Sequence, residues 1–80
     1  MIPKLLEKWR GQYDPSAEFH TLGFKTKSAA KRYLRAKGAK SMEGKYLREG
    51  WYRCADGREA RLFEISYDRE YPWQMHRRMK

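Results

Sequence analysis

The sequence predicts a small α+β domain: a short N-terminal helix, one strand, and a basic amphipathic helix packed on a three-stranded antiparallel meander. Three observations carry this expectation. Residues 26 to 38, TKSAAKRYLRAKG, set good helix formers between an N-cap threonine and a terminating glycine. Farther on, three aromatic-rich runs are separated by Glu49-Gly50 and Asp56-Gly57, and Asp-Gly between apolar runs is a strong hairpin signal because both turn positions take positive φ. A chain of 80 residues also leaves room for only one modest core, burying about 60% of the surface an unfolded chain exposes.

Taken in order, MIPKLLEKWRG reads as a docking helix, with Pro3 suited to a first turn, Leu5, Leu6 and Trp9 near one face, and Gly11 at its end. Tyr13-Asp14-Pro15-Ser16 has turn chemistry, and residues 17 to 24, AEFHTLGF, alternate as a strand with Gly23 at a bulge. The central helix is expected over residues 27 to 37. At about 100° per residue, Ala29, Ala30, Tyr33, Leu34 and Ala36 gather on one side and Lys27, Lys31, Arg32 and Arg35 on the other. Lys37 falls on the apolar side, where its stem can snorkel and its charge complements the helix dipole.

The meander is expected at residues 44 to 48, 51 to 55 and 58 to 66. With two-residue loops, Leu47, Tyr52, Cys54, Phe63 and Ile65 face the helix, with Arg61 an intruder among them. Tyr46, Arg48, Trp51, Arg53, Arg58 and Leu62 then face outward. Residues 67 to 80 lose alternation and contain Pro72, which predicts an irregular basic tail. The core is expected to be aromatic-rich, since three Trp, six Tyr and three Phe outweigh the few aliphatics.

The net charge of +9 is unevenly placed. Residues 25 to 40 hold seven positive charges and no acid, and Arg77, Arg78 and Lys80 add three more at the end. Elsewhere acids and bases nearly cancel, which argues for an oriented basic surface. Cys54 is the only cysteine, so an intramolecular disulfide is excluded and a reducing cytoplasm is expected. No metal-ligand spacing, Gly-rich phosphate loop or nucleophile-elbow motif occurs, and His20 near Glu18 and Asp14 reads as an ordinary polar residue. The expectation is a protein without enzymatic activity, cofactor or small-molecule substrate. The opening MIPKLLEKWRGQ breaks into charge before an apolar run builds up, and no stretch approaches the ~20 apolar residues of a bilayer span. Neither export by a signal peptide nor membrane insertion is expected.

Nucleic-acid binding is the partner class with a mechanism. Several cations on one surface neutralise phosphates, and Lys27, Lys31, Arg32, Arg35 and Lys40 supply them. A second patch of Tyr46, Arg48, Trp51 and Arg53 on the sheet sets aromatics beside arginines, the combination that stacks unpaired bases. Outward charge is common on any soluble helix; what distinguishes this one is the absence of a single acid between Phe24 and Lys40. The alternative is docking on an acidic surface of a larger enzyme such as RNA polymerase or a nuclease complex, for which Trp, Tyr and Arg are the usual hot-spot residues.

The combination TKSAAKRYLRAKG followed by GKYLREGWYRCADGREARLFEIS resembles small accessory proteins of bacteriophages, and in arrangement is similar to some small type I-F anti-CRISPR proteins. The resemblance spans residues 26 to 66. It implies a phage-type protein in the host bacterial cytoplasm that binds a defence or transcription complex, or its nucleic acid, without catalysis. It transfers no functional residue. The basic charge departs from the acidic DNA-mimic inhibitors of that group, so mimicry of DNA is disfavoured.

Overall fold

A computed structural model describes residues 3–44 and 48–80. Its dominant element is a six-stranded antiparallel sheet, which replaces the expected helix on a three-stranded meander. The strands are β1 (Lys4–Arg10), β2 (Glu18–Phe24), β3 (Lys40–Ser41), β4 (Trp51–Arg53), β5 (Glu59–Glu64) and β6 (Trp73–Arg78), in spatial order β1-β2-β6-β5-β4-β3. One helix, α1 (Lys27–Ala36), joins β2 to β3 across one face of the sheet.

The expected N-terminal helix is β1. Six of its seven residues pair with β2, from Lys4↔Gly23 to Arg10↔Glu18, with Leu6 left out at an irregularity between Leu5 and Glu7. A helix this short is marginal in water, where fewer than about 12 residues rarely repay nucleation. Pairing with β2 instead satisfies the backbone and sets Trp9 against Phe19, rings stacked at 4.4 Å.

The expected tail is the second correction, because it forms a central strand. β6 is hydrogen-bonded to β2 on one side and β5 on the other, with Met75 aligned to both Leu22 and Leu62. The alternation is present in Trp73, Met75 and Arg77 against Gln74, His76 and Arg78, but an arginine in the inward series obscures it. Arg77 is accommodated because its guanidinium donates to the Tyr33 hydroxyl and to Asp56 Oδ2 at 3.2 Å. Pro72 stands just before the strand, where its missing N–H interrupts no ladder, and its carbonyl accepts from Ile65 N–H at 2.7 Å.

The third correction concerns register. The β4–β5 connection is a three-residue loop: Gly57 N–H donates to Cys54 O and Cys54 N–H to Arg58 O, both at 2.9 Å, with Gly57 at φ 84°. Asp56 Oδ1 caps the turn by accepting from Arg58 N–H at 2.9 Å. Tyr52 therefore pairs with Ala60 and Trp51 with Arg61. One residue more than the expected loop turns β5 over. Leu62 and Ala60 enter the core, while Phe63 and Arg61 lie on the opposite face. The strand expected at 44 to 48 falls largely on residues 45 to 47, outside the described residues; β4 pairs instead with Lys40 and Ser41.

The helix agrees closely with expectation. Thr26 Oγ1 accepts from Ala29 N–H at 3.1 Å, and the C-terminus closes with Ala39 N–H to Leu34 O at 2.9 Å and Gly38 N–H to Arg35 O at 3.1 Å. Gly38 adopts φ 65°, the left-handed conformation that ends such a helix. Ala30 and Leu34 project into a core of Leu22, Phe24, Cys54, Ala60, Leu62 and Met75, with Tyr33, Tyr52 and Trp73 at its margin. Apart from Phe24, the buried residues are aliphatic or sulfur-bearing and the other aromatics lie at the margin or on the far face, so the core is less aromatic than expected.

Met75 is wholly buried, so Met75→Ala is expected to cost about 2–5 kcal/mol of unfolding free energy in a urea titration. Leu5→Ala, on the exposed edge strand, is expected to cost less than about 1 kcal/mol. Equal costs would remove β6 from the centre of the sheet.

Candidate nucleic-acid interface

Two basic surfaces are built on opposite sides of the sheet. The first is the outer surface of α1. Among the described residues, no carboxylate lies within ion-pair distance of Lys27, Lys31, Arg32, Arg35 or Lys37; the four ion pairs present are Arg10–Glu18, Arg48–Glu59, Arg53–Glu59 and Arg77–Asp56. Three of these lysines instead sit over aromatic rings. Lys27 Nζ is 5.3 Å from the Trp73 centroid, Lys31 Nζ is 4.9 Å from that of Tyr52, whose hydroxyl accepts its hydrogen bond, and Lys37 Nζ is 5.5 Å from that of Tyr33. Arene faces hold the ammonium groups in place without cancelling their charge. Lys37 thus snorkels as its position in the sequence suggests.

The second surface is the sheet face turned away from α1. Strand alternation places on it Trp9, Phe19, His76, Phe63, Arg61, Trp51, Arg53 and Lys40. One cross-sheet row runs Trp51, Arg61, His76, Thr21, Glu7. The rings form a half-buried cluster in which Trp9 meets His76 edge-on at 5.1 Å and Phe63 meets His76 at 4.7 Å. Trp9 Nε1 donates to Thr21 Oγ1 at 3.0 Å, fixing the indole. Toward β4, the guanidinium carbons of Arg48 and Arg61 stand 5.1 and 5.6 Å from the Trp51 centroid. The β5–β6 connection covers only one end of this face, where Gln74 donates to Asp68 Oδ2 at 3.2 Å and to Tyr71 O at 3.1 Å.

Of the residues singled out from sequence, Lys27, Lys31, Arg32 and Arg35 share α1. Lys40, Arg48, Trp51 and Arg53 come together on the outer sheet face, with Lys40 aligned to Arg53. Glu59 partly neutralises that group, at 3.7 Å from Arg48 and 3.4 Å from Arg53. Tyr46 lies outside the described residues. Sequence reasoning missed Trp9, Phe63, His76 and Arg61, because each depends on a strand read as helix or tail or on the inverted register of β5, and it missed Phe19 because its ring partner Trp9 was placed on a helix. The available signal was the alternation of Gln74, His76 and Arg78.

Burial pushes the Cys54 thiol above its ordinary value, against a smaller opposing effect of Arg77, so it is a protonated core side chain. Among the described residues, no three His, Cys, Asp or Glu side chains cluster as a metal site, and no helix is long and apolar enough to cross a membrane. No family model, curated protein or solved structure matches this chain.

Burial, aided by Arg61 and opposed by Glu7, lowers the His76 pKa below the ordinary imidazole value. Below about pH 6.5 the unfolded chain therefore takes up a proton that the folded protein resists. This contribution to stability is present above that pH and is lost as the pH falls toward the depressed folded-state value. His76→Phe is expected to flatten that part of the profile in thermal melts between pH 7 and 5, whereas an unchanged profile would place the imidazole in water.

Proposed function

We propose that this protein is a non-enzymatic nucleic-acid-binding domain. The observation that carries the reading is the outer surface of α1, whose cations stand without a carboxylate partner among the described residues. Most soluble helices mix signs on their outer surface. Leaving this one wholly basic creates local repulsion, which a line of phosphates relieves by releasing its condensed counterions. The arginine-flanked rings of the outer sheet face support the same partner class. The resemblance to small phage accessory proteins directs the reading toward a host nucleoprotein complex, encountered in the bacterial cytoplasm.

Docking on an acidic protein surface would use the same cations, but it predicts no affinity for bare oligonucleotides. Fluorescence anisotropy with arbitrary duplexes at increasing salt separates the two. Affinity is expected to fall log-linearly with a slope of about −0.9 per phosphate contacted, hence roughly −3 to −4 for α1. Arg32→Glu with Arg35→Glu is expected to abolish binding while leaving the melting temperature nearly unchanged, because both side chains are exposed. Absence of binding at low salt would refute the proposal.

A further inference from the structure

The two cationic surfaces lie on opposite sides of one sheet, and from this we propose that a single copy of the protein holds two nucleic-acid segments at once: a duplex along α1 and an unpaired strand on the outer sheet face. The inference rests on the nucleic-acid reading above and adds what each surface takes. The rings beside α1 lie beneath Lys27 and Lys31 as supports, and Ser28, Arg32 and Arg35, on the side of the helix away from the buried Ala30 and Leu34, are exposed. That surface therefore offers charge without a stacking platform, which suits the phosphate backbone that a duplex displays.

The outer sheet face has the opposite character. Trp51 has the guanidinium groups of Arg48 and Arg61 near its ring, Phe63 and Trp9 both contact His76, and Lys40 and Arg53 stand in the neighbouring strands. Aromatic rings and arginine planes take the faces of bases, and a duplex keeps those faces inside its own stack. The domain measures 31 × 28 × 24 Å. A duplex, with a persistence length of about 150 base pairs, cannot fold around so small a body to meet both sides. The two surfaces must engage separate segments, as at a junction between paired and unpaired nucleic acid.

The test uses a short blunt DNA duplex immobilised on beads, the full-length protein, and a fluorescent oligothymidine that cannot pair with the duplex. Wild type is expected to retain the oligothymidine on duplex-bearing beads, and excess unlabelled oligothymidine is expected to leave the protein bound. Trp51→Ala should lower oligothymidine affinity about tenfold, the order expected for one lost stacking partner. It should spare duplex binding, and Trp51→Phe should restore most of the loss. Arg61→Glu, at an exposed position, provides a second variant of that face. Arg32→Glu with Arg35→Glu should lose the duplex and keep the single strand. Mutual displacement of the two ligands, or loss of both ligands in each variant, would overturn the two-surface arrangement while leaving nucleic-acid binding standing. Binding of neither ligand by wild type would overturn both.

Discussion

The pairing of β6 on both of its edges is the constraint on which the rest of the molecule depends. With Met75 wholly buried between Leu22 on β2 and Leu62 on β5, the last strand of the chain joins the β1–β2 hairpin to the β3–β4–β5 meander. Without it the β1–β2 hairpin is an isolated two-stranded piece, marginal alone, and α1 loses the central strand it packs across. Closing contacts so far apart in sequence is entropically costly. Burial of Met75, Leu62 and Leu22 against Ala30 and Leu34 of α1 is the main compensation.

That same pairing produces the two-sided character of the surface. Because successive strand residues point to opposite faces, each core residue of β5 and β6 sends its neighbours outward. Leu62 goes with Arg61 and Phe63, and Met75 with Gln74 and His76. Among the described residues the β5–β6 connection covers only one end of the far face, and over the rest the aromatics cover one another. The stacked Trp9–Phe19 pair and the edge contacts of His76 are the result. Polar outer strands with interleaved rings leave basic side chains beside aromatic ones on that face.

Local signals in the sequence located α1 and the ends of β2, β4 and β5 well, because caps, helix formers and the Asp-Gly turn act within a few residues. Thr26, Gly38 and Gly57 each take the role their chemistry indicates. Long-range order was much less legible. Leu5, Leu6 and Trp9 suit a helix face or a strand equally over so short a segment, and only the partner β2 decides between them. Arg77 hid the inward series of β6, since its burial depends on Tyr33 and Asp56, distant in sequence. One extra loop residue reversed the assignment of Leu62 and Phe63. The candidate site followed the same division: the α1 cations and the group of Arg48, Trp51 and Arg53 were legible from local pattern, whereas Trp9, Phe63, His76 and Arg61 required strand order and register.

Native-state hydrogen exchange of residues 73 to 78 tests this account most directly. If β6 is the central strand, the amides of Gln74, Met75, His76 and Arg77 exchange only through global unfolding, with free energies at the maximum found anywhere in the protein. Exchange of these four amides at rates near those of an unstructured peptide, with the rest of the chain still protected, would contradict it.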